Sequence, residues 1–148
     1  MSGRRYTYPA RLERDEAHRL VVHFPDLPEA LTDGADEAEA LAEASDCLSE
    51  ALAGRIHRRD DIPIPSPLRP GMYLVEPEPT IALKAALYDA LTSRGMSTSD
   101  VGRKLGVSDR DAARLIDPKA RTPLTKLEEA LSALGYTIGI EIREKRVA

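Results

Sequence analysis

The chain has 148 residues, of which 42% are hydrophobic and 31% are charged, and its formal net charge is −4. This balance is typical of one ordinary globular domain or two small ones, and it excludes an intrinsically disordered chain. One cysteine excludes an internal disulfide, and neither a signal peptide nor a membrane-length apolar run is visible, so we expect a cytoplasmic protein without a membrane partner.

The first 78 residues predict a small α+β layer. Alternation over residues 6–13 and a β-branched run over residues 20–24 indicate an antiparallel hairpin. Pro9 lacks a ladder donor, so it favours an edge or a bulge. A short third strand is expected over residues 30–32, ended by a turn at Asp33-Gly34.

A long helix follows, with Asp36 as its cap and Glu39 at the reciprocal position, and it runs to about Arg58. Its predicted apolar stripe, which would pack on the sheet, comprises Ala38, Leu41, Ala44, Ser45, Leu48, Leu52 and Ile56. The proline-rich stretch 62–71 is an extended connector. A strand over residues 73–76 can then rejoin the sheet, and we divide the chain into domains 1–78 and 79–148.

The second domain predicts an all-helical bundle. Its first helix covers residues 81–93, with Thr80 as the cap, and its stripe comprises Leu83, Ala86, Leu87, Ala90 and Leu91. Its last helix has Thr122 as the cap and Pro123 in the first turn. The stripe of that helix comprises Leu124, Leu127, Leu131 and Leu134.

Two short amphipathic helices lie between them, over residues 97–116. Ser97 with Asp100, and Ser108 with Asp111, have the spacing of capping boxes. Gly102 is small where the two helices must approach, and Gly106 suits the positive φ that ends the first helix. The pattern favours a helix-turn-helix, whose second helix enters the DNA major groove, over an ordinary helical hairpin.

Residues 136–143 alternate again, with Ile138, Ile140 and Ile142 on one side. Because a lone strand is not stable, this C-terminal strand must pair with the sheet or with the same strand of a second copy. The second arrangement predicts a homodimer, or a higher even-numbered oligomer, with two recognition helices at half-site spacing.

Charge is unevenly distributed between the halves. Residues 1–80 carry 9 Lys and Arg against 16 Asp and Glu, whereas residues 81–148 carry 12 against 9. Arg110 and Arg114 lie one turn apart and suit guanine contacts, although a solvated helix face explains them equally well. The candidate DNA-binding residues are Thr98, Ser99, Ser108, Asp109, Arg110, Arg114, Lys119 and Arg121.

The loop Phe24-Pro25-Asp26-Leu27-Pro28, followed by Leu31-Thr32-Asp33-Gly34 and an acidic capped helix, resembles the HicB antitoxin family. The resemblance implies a partial ribonuclease H fold in the N-terminal domain and a Cro/repressor-like helix-turn-helix in the C-terminal domain. It also implies a type II toxin–antitoxin system. The front domain would neutralise a small basic mRNA-cleaving ribonuclease of the HicA family, and the back domain would bind operator DNA and repress the shared operon. One departure is Ser108-Asp109-Arg110-Asp111, where such repressors often begin the recognition helix with Gln or Ser.

Under this resemblance, acidic side chains of the front domain would complement a basic toxin and speed its association. For any one of them, a solvated acidic surface is the simpler interpretation. The candidate toxin-binding residues are Phe24, Asp26, Leu27, Glu29, Asp33, Glu39 and Glu43.

Catalysis is not expected. The three histidines share no metal-ligand spacing, and the strands offer only Glu13 and Glu76, too few carboxylates for a ribonuclease H metal site. We therefore expect a binding protein without metal or cofactor. The alternatives are a stand-alone ligand-responsive transcriptional regulator, which needs an apolar pocket in the front domain, and a metal-dependent nuclease.

Overall fold

A computed structural model describes residues 3–145, which form two compact units. Of the described residues, the first unit takes 3–54, 63–78 and 145, and the second takes 55–62 and 79–144. The first combines a sheet with a helix and the second is mostly helical, so the predicted α+β class is confirmed.

The first unit contains a four-stranded antiparallel sheet. Its strands are β1 (Tyr8–Arg14), β2 (Leu20–His23), β3 (Leu31–Gly34) and β4 (Tyr73–Val75), in the order β3-β2-β1-β4. The predicted hairpin is confirmed, since β1 and β2 pair from Arg11 opposite His23 to Arg14 opposite Leu20. The strand after the connector rejoins the sheet beside β1. The likeness of this layer to a partial ribonuclease H fold stays a prediction.

Two strand details differ from expectation. β3 continues through Asp33 and Gly34, which were expected to form the turn that ends it, because Gly34 pairs with Leu20 on β2. Pro9 lies in an interior strand, yet the β1–β2 ladder begins only at Arg11. Pro9 itself pairs only with Leu74 on β4, so the N–H that proline lacks removes no hydrogen bond to β2.

Helix α1 covers Glu37–Arg58. Asp36 caps it by accepting the Glu39 N–H at 2.9 Å, whereas the Glu39 carboxylate accepts the Ala35 N–H at 2.6 Å rather than the expected Asp36 N–H. The predicted stripe is wrong at its first position, since Ala38 is exposed and Ala40 is buried. A Cβ on Gly34 would lie 2.4 Å from the Ala40 nitrogen, so the end of β3 packs directly on this turn.

The second unit contains α2 (Pro79–Arg94), α3 (Thr98–Leu105), α4 (Asp109–Arg114) and α5 (Leu124–Ala133). Two predicted caps are wrong. Thr80 lies inside α2, which begins at Pro79. Pro123 occupies the N-cap position of α5, and the Thr122 hydroxyl instead donates to the Arg114 carbonyl at 3.2 Å.

The buried faces of these helices also differ in part from the predicted stripes. Leu83 and Ala86 are half-buried, while Lys84, Ala85 and Tyr88 are buried on α2. On α5, Leu124 is exposed and Leu127 is fully buried.

The predicted C-terminal strand is not formed in the single chain. Residues 136–145 have no strand assignment, and Ile140 and Ile142 are 80% and 87% exposed. Within residues 3–145, the C-terminal segment therefore does not pair with the sheet, which contains only β1 to β4. Pairing with a second copy stays a prediction.

Candidate functional site

Helices α3 and α4 each begin at a serine cap, as predicted. The Ser97 hydroxyl accepts the Asp100 N–H at 3.2 Å, and the Asp100 carboxylate accepts the Ser97 N–H at 2.8 Å. The Ser97 N–H first, then the Ser97 hydroxyl and the nearby Arg103 charge, act on the Asp100 carboxylate and lower the pKa of Asp100. At α4, the Ser108 hydroxyl accepts the Asp111 N–H at 3.1 Å, but within residues 3–145 no reciprocal bond joins the Ser108 N–H to the Asp111 carboxylate, so the predicted second capping box is only half formed. Local hydrogen bonds thus fix where both helices begin.

The turn between the helices depends on two glycines. Gly106 has φ 71°, and its N–H donates to the Gly102 carbonyl, which ends α3 with a left-handed residue. A Cβ on Gly102 would lie 2.8 Å from the Ala112 Cβ. Only glycine at position 102 permits this approach, so the predicted close contact between α3 and α4 is present.

Helix α4 and the segment after it expose four cations: Arg110, Arg114, Lys119 and Arg121. Among residues 3–145, none of these four side chains has a described hydrogen bond or ion pair, and they can contact an external anion. Ser108 and Asp109 are exposed at the start of α4, whereas Thr98 and Ser99 are half-buried at the start of α3. The structure thus brings the candidate DNA-binding residues onto one helical hairpin and its trailing segment.

Lys84, which no sequence motif singled out, is fully buried in α2. Its Nζ donates to the carbonyl oxygens of Arg114 at 3.2 Å, Asp117 at 2.5 Å and Ala120 at 2.7 Å. Burial lowers the pKa of Lys84. One signal was available, because Lys84 lies at helical spacing between the buried residues Ile81 and Tyr88.

In the first unit, the side chains of Phe24 and Leu27 lie in the core, at 2% and 0% exposure. Leu27 N–H donates to the Phe24 carbonyl at 3.1 Å, and Ala30 N–H to the Leu27 carbonyl at 2.9 Å, which makes two successive turns. This placement changes the expected role of Phe24 and Leu27 from partner contacts to anchors of the loop, because a buried side chain offers no surface.

Three of the candidate acidic side chains already have partners within the first unit. Asp26 accepts two hydrogen bonds from Ser66, and Glu39 accepts the Ala35 N–H. Asp33 pairs with Arg19 at 2.8 Å, and this hydrogen-bonded guanidinium lowers the pKa of that carboxyl. Glu29 and Glu43 are exposed.

Glu43 differs from the other four acidic candidates. Its carboxylate has no described partner among residues 3–145, so it can pair with an external cation without giving up an internal bond.

No candidate metal site is found among the residues that the structure describes. There, no three His, Cys, Asp or Glu side chains are grouped in a way that could hold a metal ion. No helix in the same residues combines the length and apolar composition needed to cross a bilayer.

Comparison with known proteins identifies a family that this chain matches. Residues 7–86 match the family model of HicB-like antitoxins of bacterial toxin–antitoxin systems. Antitoxin HicB 2 of Photorhabdus laumondii is 36% identical over 128 residues, covering 86% of this chain and 90% of that protein.

Two further relatives extend across both units. Antitoxin HicB 1 of Photorhabdus laumondii is 30% identical over 135 residues, covering 91% of this chain and 86% of that protein. Antitoxin HicB of Escherichia coli is 29% identical over 133 residues, covering 90% of this chain and 96% of that protein. The family model spans more than half of the chain, and these relatives match nearly all of it. The chain therefore belongs to the HicB-like antitoxin family of bacterial toxin–antitoxin systems.

Proposed function

We propose that this antitoxin neutralises a small basic ribonuclease of the HicA family through its first unit and represses its own operon by binding operator DNA through α3 and α4. The observation that carries the proposal is the pairing of the antitoxin family match with a capped helical hairpin. That hairpin exposes Arg110 and Arg114, whose side chains have no described partner within residues 3–145. The protein acts by binding, without catalysis, metal or cofactor.

For DNA binding, α4 acts as the recognition helix of a helix-turn-helix. Arg110 and Arg114 face the groove and donate to guanine O6 and N7, while Asp109 accepts from cytosine N4. Lys119 and Arg121 contact phosphates beyond the helix, and the start of α3 binds the neighbouring backbone through Thr98 and Ser99. These phosphate contacts make binding strongly dependent on salt.

For toxin binding, the exposed carboxylates of the first unit meet a basic nuclease surface. Glu43 is the strongest candidate contact, because its carboxylate is exposed and has no described internal partner. Glu29 lies on the exposed loop that Phe24 and Leu27 anchor. Opposite charges on the two proteins accelerate their encounter more than they tighten the final complex.

Operator binding by two-fold symmetric repressors needs two recognition helices. We propose that residues 136–143 pair with the same residues of a second copy to form a homodimer. The exposure of Ile140 and Ile142 supports this arrangement, because pairing of the two strands would bury apolar side chains that the single chain leaves in water.

The decisive experiment is co-expression with the small reading frame adjacent to this gene, followed by co-purification, a growth-rescue assay and a mobility-shift assay on the upstream DNA. We expect a stable complex, restored growth and a shifted upstream fragment. Failure to rescue growth or to bind the toxin would refute the antitoxin proposal. Loss of the DNA shift alone would refute only the repressor proposal.

The ligand-responsive alternative needs an apolar pocket in the first unit. One cavity, of about 310 Å³, lies in the second unit and is lined partly by the charged residues Arg59, Asp117 and Lys119. Thermal-shift screening with metabolites distinguishes this alternative, because it predicts stabilisation of the first unit by a small molecule without any toxin.

A further inference from the structure

A buried lysine donates hydrogen bonds to three carbonyl oxygens, one in the last residue of α4 and two in the segment after it. The Lys84 side chain is fully buried, and its three N–H donors match the three acceptors at 2.5 to 3.2 Å. The acceptors belong to Arg114, Asp117 and Ala120, and the spacing of three residues places them on successive turns of the chain. One ammonium group therefore organises the whole stretch from residue 114 to residue 120.

These carbonyls need a donor because α4 is short. The helix ends at Arg114, so its last carbonyls lack intrahelical partners, and Pro118 has no N–H to offer. Burying an ammonium group is costly unless every donor is satisfied, and here all three are. Removing the ammonium would leave three acceptors without this partner, although Thr122 still donates to the Arg114 carbonyl.

Two exposed cations lie at the end of the stretch that Lys84 holds: Lys119 within it and Arg121 directly after it. A turn from Asp117 to Ala120, closed by a 3.1 Å backbone bond, contains Lys119. The Asp117 carboxylate accepts the Lys119 N–H at 3.0 Å, and Arg121 follows directly. Both side chains project from a backbone whose position depends on the Lys84 ammonium.

We propose that Lys84 is a positioning residue for DNA binding, which holds segment 114–121 so that Lys119 and Arg121 meet the phosphate backbone. Lys84 itself touches no DNA, because its side chain is buried. The inference rests on the proposed repressor function. In it, the Lys84 ammonium holds the backbone that carries Lys119 and Arg121 where both side chains can contact phosphates.

The test compares Lys84→Met with Lys126→Met in the full-length protein, using the upstream DNA fragment at several salt concentrations. Lys126 is an exposed lysine of α5 and serves as the matched control. We expect Lys84→Met to lower the salt slope of log K by about two, near 0.9 for each lost phosphate contact, and to weaken binding at least roughly tenfold at low salt. Lys126→Met should keep the wild-type slope.

A double-mutant comparison separates positioning from general destabilisation. In a Lys119→Ala/Arg121→Ala background, Lys84→Met should leave the salt slope unchanged, because the two contacts are already absent. Leu127→Ala, which truncates a fully buried core residue, should lower the melting temperature and keep the wild-type slope at temperatures where it is folded.

The outcomes are distinct. An unchanged slope in folded Lys84→Met overturns the proposal, as does a slope that falls equally in Leu127→Ala. If circular dichroism shows Lys84→Met to be unfolded at low temperature, Lys84→Gln, which keeps two of the three N–H donors on a shorter side chain, replaces it; its slope should fall by less than two, and an unchanged slope overturns the proposal. A wild-type protein that fails to bind the upstream DNA instead refutes the repressor function itself.

Discussion

The Asp26 carboxylate accepts hydrogen bonds from both the backbone N–H and the hydroxyl of Ser66, which lies 40 residues further along the chain. The N–H bond measures 2.9 Å. Asp26 sits in the loop that marks the family resemblance, and Ser66 sits in the proline-rich connector. Nearby, the Tyr8 hydroxyl donates to the Pro63 carbonyl at 2.7 Å. The connector is therefore fastened to the first unit rather than left as a free tether.

Asp26→Ala should release this fastening. We expect the free energy of unfolding to fall by roughly 1 kcal/mol, because two hydrogen bonds to a half-exposed carboxylate are lost. Urea denaturation of Asp26→Ala, Ser66→Ala and the double variant measures the coupling. If the two single effects simply add, the hydroxyl bond contributes nothing, and an Asp26→Ala protein as stable as wild type would contradict the prediction.

Gly102→Ala should destabilise the second unit, even though alanine is the better helix former. The added Cβ would lie 2.8 Å from the Ala112 Cβ, so α3 and α4 must separate, at a cost of about 1–3 kcal/mol. Ala112→Gly should restore most of this loss when combined with Gly102→Ala. Gly139→Ala, where nothing lies within 4 Å of the new Cβ, is the silent control in thermal denaturation.

The capping box of α3 should make the stability of the second unit depend on pH in the acidic range. The pKa of Asp100 is lowered in the folded protein, chiefly by the Ser97 N–H and then the Ser97 hydroxyl. The ionised carboxylate therefore stabilises the fold at pH values above the pKa of an unfolded aspartate, about 3.9. That contribution is lost as the pH falls through the lower folded-state pKa. Asp100→Asn should flatten the melting temperature between pH 5 and pH 2 relative to wild type.

Ser97→Ala tests the same box from the other side. It removes the hydroxyl but keeps the backbone N–H, so the acid sensitivity should shrink without vanishing. An Asp100→Asn protein with the wild-type pH profile would contradict the assignment.

Arg110→Ala and Arg114→Ala should weaken operator binding while leaving toxin neutralisation intact. Loss of a bidentate guanine contact costs about 1–3 kcal/mol and relaxes specificity at one base pair, whereas loss of a phosphate contact mainly lowers the salt slope by about one. Binding titrations on operator and scrambled DNA distinguish the two cases. Lys126→Ala provides the exposed-cation control, and unchanged DNA affinity in both arginine variants would exclude α4 as the recognition helix.

Glu43→Lys should slow association with the toxin several-fold at low salt, with less effect at high salt, because charge reversal weakens electrostatic steering. Glu128→Lys makes the same charge change on α5, where no toxin contact is proposed, and should keep the wild-type rate. Stopped-flow or surface-based kinetics measure both. Equal rates for Glu43→Lys and wild type would remove Glu43 from the toxin-binding surface.

The sequence by itself determined the local features of this protein. Serine caps, the glycine ends of helices and the β1–β2 hairpin follow from hydrogen bonds and backbone preferences that act over a few residues. For that reason Ser97, Ser108 and Gly106 have the predicted roles. The family resemblance rested on a short loop motif and is confirmed by the comparisons.

Only the tertiary structure decided which polar side chains are consumed inside the fold. Residue type marked Thr122 as a cap, and the family resemblance marked the acidic Asp26 as a partner contact, yet each binds a residue outside its own local segment. Helical spacing alone indicates that Lys84 faces the core, but the three carbonyls that stabilise its ammonium lie 30 to 36 residues away, and no local pattern identifies them. The physical reason is that a side chain's free energy depends on all the donors and acceptors around it, and those are assembled only when distant segments pack together.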